Sequence, residues 1–292
     1  MGATGVPGVP GVPTMTEPRA SETGGVLEPA RDDFYVGYLG LPKRHALFLG
    51  VALPLALGAI GAGVIGLSAG QPGWGDAVWD TAEPIEVTGV FRAEPYPMVH
   101  EVTEQGVRSH LLVQVGKLGT SAHFADESRA YLDGAVVTVT GWRLERDGRR
   151  MLELDLFGAF SGEGHEAIRV VEDAPGVRDS VDLTGAEPVT LVGEVVDAKC
   201  FLGAMKPGRG RGHKACATLC VEGGIPPMVY SLDAEGRPRY HLVVDETGGP
   251  LSGERLDRVL PLIAEPVRVS GVESRVGSWR VIRTTLGAVE GL

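Results

Sequence analysis

One short unit occurs twice in this chain of 292 residues. Glu83-Pro84-Ile85-Glu86-Val87-Thr88-Gly89 returns as Glu187-Pro188-Val189-Thr190-Leu191-Val192-Gly193, and Val137-Thr138-Val139-Thr140-Gly141 returns as Val267-Arg268-Val269-Ser270-Gly271. Internal repetition constrains a fold strongly, because both copies have to satisfy one scaffold. The first match is offset by 104 positions and the second by 130, a difference of 26. That is the length of segment 200–225, CFLGAMKPGRGRGHKACATLCVEGGI, which holds all three cysteines. The second copy therefore carries a site-bearing insertion in a shared β scaffold, and the first copy is expected to be structural.

Both copies read as short strands. Alternation or β-branched enrichment marks 85–91, 110–115, 136–142 and 151–157 in the first, and 189–196, 228–232, 239–244, 266–272 and 279–284 in the second, separated by turn formers such as Asp147-Gly148. Short helices are expected at 122–132 and 253–264. Five short strands with a helix before the last pair suit a small, partly open barrel of the OB type. The fold class is thus mainly β, with two tandem OB-like domains at 81–172 and 187–292; a pair of β-sandwich domains is the alternative.

Ahead of the β region, residues 46–69 form a run of 24 without a charge. At about 1.5 Å per residue this is long enough to cross a hydrocarbon core of roughly 30 Å. A cleaved signal peptide would have a shorter apolar core nearer the start, so an uncleaved anchor is expected. Lys43 and Arg44 precede the run, whereas Asp76, Asp80, Glu83 and Glu86 follow it before Arg92. The positive-inside rule then makes 1–45 cytoplasmic and puts the β domains outside. Gly58, Ala62 and Gly66 recur at every fourth position, with Ala59 and Gly63 beside them, a smooth stripe that lets another helix approach. Phe34, Tyr35 and Tyr38 read either as an interfacial aromatic belt or as a docking strip for another subunit. Residues 1–30 have too few large apolar groups to offset chain entropy and are expected to be disordered.

A net charge of −11 and few aromatics argue against nucleic-acid binding. His100, His110, His123, His165 and His241 show no ligand spacing and read as surface or packing residues. Lys206, Arg209, Arg211 and Lys214 gather positive charge on the inserted segment, either an anion patch or an ordinary solvated loop.

Within that segment one short helix is expected before Gly223-Gly224, on which His213, Cys216 and Cys220 fall at i, i+3 and i+7 and so share a face. Cys200, arriving from a strand end, completes a set of three thiolates and an imidazole that suits zinc or an iron–sulfur cluster. The competing reading is a disulfide from Cys200 to Cys216 or Cys220, with a thiol left over and no cofactor, because cysteines outside the cytoplasm usually pair. Little of the segment is apolar, so a metal or a cross-link is expected to offset the entropy of ordering it. The sequence contains no Cys-x-x-Cys-His, no Cys-x-x-Cys and no Gly-x-Ser-x-Gly, which lowers the weight of enzyme readings.

Gly193-Glu-Val-Val-Asp197-x-x-Cys200, His213-x-x-Cys216-Ala-x-x-x-Cys220 and Gly-Gly-Ile-Pro-Pro227 together resemble a loop of uncharacterised bacterial secreted or membrane-anchored proteins with a small β domain. The resemblance covers about 40 residues, implies a bacterial origin and marks the same Cys and His positions, without supplying an activity. Two functions are then expected. One is a non-catalytic, anchored subunit of a bacterial membrane complex of the respiratory or electron-transfer kind, with other membrane subunits as partners. The other is an independent thiol-redox or metal-handling protein acting through Cys200, His213, Cys216 and Cys220.

Overall fold

The computed structural model describes residues 41–69, 76–121, 132–156, 158, 166–171 and 184–292. Phe34, Tyr35, Tyr38, the start of the chain and nearly all of the helix expected at 122–132 lie outside these residues. The chain divides into an N-terminal unit ending at Gln71 and a β unit that follows.

In the N-terminal unit, α1 (Lys43–Ala69) is a continuous helix with no buried residue, long and apolar enough to cross a membrane. It takes in Lys43 and Arg44, three residues earlier than the uncharged run begins. A Cβ added at Gly58 or Gly66 would meet open space, so that face of the helix is smooth and uncovered.

The β unit contains β1 (Val78–Arg92), β2 (Met98–Thr103), β3 (Gly106–Gln114), β4 (Val136–Arg146), β5 (Arg149–Leu154) and β6 (Ile168–Val170). It continues with β7 (Thr184–Asp197), β8 (Pro227–Leu232), β9 (Pro238–Val244), β10 (Pro266–Val276), β11 (Trp279–Arg283) and β12 (Val289–Gly291). Helix α2 (Lys214–Glu222) lies between β7 and β8, and α3 (Gly253–Val259) precedes β10. In the second sheet β7 pairs with β8 and β10, β8 with β9, β9 in parallel with β11, and β11 with β10, closing a five-stranded barrel. The first sheet repeats this order: β1 pairs with β2 and β4, β2 with β3, β3 in parallel with β5, and β5 with β4.

The sequence repeat is matched by register. Ile85 faces Gly141 and Gly89 faces Val137 in the first sheet; Val189 faces Gly271 and Gly193 faces Val267 in the second. The glycines recur for a steric reason. A Cβ on Gly89 or Gly141 would collide with the carbonyl of His100 or Glu153, and one on Gly193 or Gly271 with that of Tyr230 or Arg283. Each marks a place where neighbouring backbone leaves no room for a side chain.

Each sheet encloses apolar residues of its own, and a third core is shared. In it Tyr96, Met98, Leu111 and Leu144 from the first sheet pack with Phe201, Leu202, Met228 and Trp279 from the second. Hydrogen bonds cross the same junction: Tyr96 Oη donates to the Val243 carbonyl at 2.7 Å, and Ser109 and Ser278 exchange backbone-to-hydroxyl bonds at 3.0 and 2.9 Å. The two sheets therefore form one folding body.

Because the repeat glycines are sterically required, Gly193→Ala is expected to lower unfolding free energy by about 1–3 kcal/mol, the usual cost of overpacking. Gly212→Ala, where a Cβ meets nothing within 4 Å, should stay within about 0.5 kcal/mol. Urea titrations of the two variants beside the parent chain make the comparison.

Candidate metal centre

The inserted segment begins where β7 ends. Asp197 is fully buried there, and its carboxylate holds both sides of the segment: Oδ1 accepts from the Cys200 backbone N–H at 2.7 Å, and Oδ2 accepts from His213 Nε2 at 3.1 Å. A turn of π-helix, Cys200–Ala204, follows, with Gly203 so close to the Val78 carbonyl that a Cβ would not fit. The chain returns through a 3₁₀ turn, Arg211–His213, into α2. On that helix Cys216 and Cys220 stand one turn apart, and the Gly223-Gly224 pair ends it.

These elements bring three sulfurs together. Cys200 Sγ lies 4.0 Å from Cys216 Sγ and 3.9 Å from Cys220 Sγ, and all three lie within 4.8 Å of one another. A disulfide bond is about 2.0 Å long. No pair is at that distance, so the expected Cys200 bridge to Cys216 or Cys220 is not formed; Cys200 sits between the two helical cysteines at similar separation from each. Three thiolates on one ion at about 2.3 Å would instead be roughly 3.8–4.0 Å apart, depending on how flat the arrangement is. The two separations from Cys200, 4.0 and 3.9 Å, have that size, and the third lies within 4.8 Å. Asp197, Cys200 and His213 make a second, overlapping group within the same distance limit. His213 thus belongs to the site through Cys200 and Asp197, as an imidazole oriented by a carboxylate, the arrangement that fixes ring orientation beside metal ligands.

Two lysines complete the site, and the first sheet is essential to both. Lys117, in the loop after β3, places Nζ 2.7 Å from Cys216 Sγ and 3.8 Å from Cys220 Sγ. Its loop is docked by close backbone contact: the Gly119 N–H donates to the Gly223 carbonyl at 2.9 Å, and Cβ atoms on Gly119 and Gly223 would overlap Gly224 and Lys117 respectively. Lys199, adjacent to Cys200, is buried; its Nζ donates to the carbonyls of Gln114 at 3.0 Å and Gly116 at 2.6 Å and to Glu153 Oε1 at 2.5 Å. All three ammonium protons are used. The first copy is therefore not scaffold alone, as its sequence implied, since it supplies Lys117, Glu153 and the carbonyls that seat Lys199.

Electrostatics distinguish the thiols. Hydrogen bonding from Cys200, supported by the Lys117 charge and opposed by burial, brings the Cys220 thiol down to about 7. The same hydrogen bond and then burial push Cys200 upward. Contact with Cys216 raises Lys117, which stays an ammonium. Cys220 is thus the more acidic of the two thiols.

All three thiols, Lys117, Lys199 and Glu153 line one cavity of about 550 Å³. The basic residues of the segment point elsewhere. Arg211 and Lys214 both pair with Glu265, at 3.0 and 2.9 Å, and Arg209 stacks 5.0 Å over the Tyr230 ring, so the proposed anion patch is largely engaged within the protein. The segment is also more apolar in place than in sequence. Phe201, Leu202, Ala217, Val221 and Ile225 are buried, and packing as well as any metal offsets its ordering entropy.

Among the residues not singled out from sequence, Glu153 had a signal: it is a charge within the apolar alternation Met151-Leu152-Glu153-Leu154. Lys117 had none, lying in a loop 83 positions before Cys200. Compared with protein-family models, curated proteins and solved structures, the chain matches none.

Two outcomes are expected. In metal-stripped protein, modification of Cys220 by methyl methanethiosulfonate should rise through pH 7, below the ordinary thiol range near 8.5, and Lys117→Met should move that rise upward; peptide mapping by mass spectrometry reads both. Lys199→Met should cost about 3–5 kcal/mol in a urea titration, because it leaves Glu153 buried without its partner.

Proposed function

We propose that this chain is a membrane-anchored bacterial protein that binds one soft metal ion of the zinc class through Cys200, Cys216 and Cys220, and acts as a metal-handling protein. The observation that carries this reading is the convergence of three sulfurs, with Cys200 at single-ion spacing from the other two, facing a cavity, with an ammonium beside them. Three thiolates around a divalent ion leave one negative charge, which Lys117 offsets. A cluster that spreads its thiolates over different irons needs them farther apart, so a single ion suits this spacing better than an iron–sulfur cluster. His213 and Asp197 are positioning groups for Cys200.

The charge pattern around α1 supports an N-terminus in the cytoplasm and the β unit outside. Free thiols in an oxidising compartment tend to pair. An ion held by all three would keep them from doing so, which makes the metal reading the more coherent one for that location. The common pairing order and register support two OB-type barrels from one duplicated unit.

A second reading, membership of a membrane complex as a non-catalytic subunit, is favoured by the uncovered Gly58, Ala62 and Gly66 face of α1. It is compatible with the first. Purification in mild detergent addresses it: a membrane partner that co-purifies with the parent chain and is lost from the Gly58, Ala62 and Gly66 triple leucine variant is the expected result.

The metal reading is tested by elemental analysis of the full-length chain in detergent. One zinc per chain is expected, absent in Cys216→Ser and Cys220→Ser. His213→Ala should retain zinc with about 10–100-fold weaker affinity, as removal of a positioning partner does. Metal-free protein from every preparation, with three titratable thiols and no gain in melting temperature on adding zinc, would overturn it.

A further inference from the structure

We infer that the ion's remaining coordination position faces the cavity and accepts a small organic thiolate. This rests on the metal reading above. Structural zinc sites close all four positions with protein ligands, whereas sites that act on a ligand keep one open. Here three sulfurs are supplied from the wall of the cavity, whereas Asp197 and His213, which bind each other through Nε2, are not among the described residues that line it. Lys199 and Glu153 are spent on each other and on backbone carbonyls.

What surrounds that position defines the ligand. Lys117 brings the three-thiolate site to zero net charge, which permits an anionic head. Trp79, Trp142, Val115, Ala204 and Met205 provide the apolar wall, which calls for a hydrocarbon body. An ion already selected by three thiolates is best matched by a soft donor. A volume of about 550 Å³ admits a small molecule and lies within the range of ordinary ligand sites. An alkyl thiolate meets all four requirements. Binding is ligation alone: the thiol loses its proton to solvent, one metal–sulfur bond forms, any bound water leaves, and no electrons are transferred.

The test uses the full-length chain in detergent with cobalt(II) as a spectroscopic probe. Propane-1-thiol should add saturably to the sulfur-to-cobalt charge-transfer absorption. Across ethane-, propane- and butane-1-thiol the affinity should rise about fourfold per methylene as the body is buried. On cobalt-loaded chains, Lys117→Met should weaken binding at least tenfold, and Trp142→Ala should flatten the dependence on chain length. Butyrate, of similar size but with a hard donor, should leave the spectrum unchanged. Cobalt bound at one per chain with no response to thiol, no dependence on chain length, or an equal response to butyrate would overturn this inference while leaving the metal site standing. Failure of cobalt to bind at all would instead remove the metal reading and this inference with it.

Discussion

The buried contact of Lys199 with Glu153 is the constraint on which the site depends. Taking an ammonium and a carboxylate out of water costs several kcal/mol per ion, repaid only when geometry and hydrogen bonding are both good. Here the carboxylate and two carbonyls satisfy all three donors, and every acceptor belongs to the first sheet or to the loop that follows β3. Lys199 is covalently adjacent to Cys200. Seating its side chain in the first barrel therefore fixes where the first sulfur can be, and the Asp197 carboxylate fixes the backbone on the other side. Neither barrel alone holds Cys200 in this way.

A second consequence of docking is charge. Converging thiols repel one another once ionised, and a buried triangle of them is unfavourable without a compensating cation. The protein supplies one through Lys117, delivered by a loop whose approach to α2 is possible only because Gly119 and Gly223 carry no side chains at the crossing. This is an instance where glycine is needed for close backbone approach rather than for a turn. The remaining charges of the segment are settled locally: Glu265 takes Arg211 and Lys214, and Glu194 accepts the Gly210 N–H.

Much of this was legible in the sequence. The repeat located both sheets, alternation located nine of the strands, and the 26-residue interruption located the cysteines. What escaped has physical causes. Strand β2 (Met98–Thr103) has mixed polarity because it runs from the shared core at Met98 to exposed Val102, so it shows no clean two-residue period. The disulfide alternative failed because spacing along the chain cannot distinguish two sulfurs that bond from three that converge. The first barrel's contribution was invisible because Lys117 and Glu153 reach the site by tertiary docking, which leaves no mark on local pattern. His213 stays within ligand distance of Cys200 and Asp197, but it is the last residue of the 3₁₀ turn leading into α2 rather than a residue of the helix face.

The two copies use equivalent loops for opposite purposes. Five residues, 93–97, join β1 to β2, whereas residues 198–226 join β7 to β8. The short version contributes Tyr96, whose ring enters the shared core and whose hydroxyl caps the Val243 carbonyl of the other barrel. The long version contributes Cys200, Phe201 and Leu202, which belong to the same core. Docking thus turns one connection into a clamp and the other into a site, and the apolar residues beside the cysteines bind the insertion to its neighbour. The junction of the two sheets buries Lys199 with Glu153 and brings a lysine from the loop after β3 to the sulfurs that follow β7.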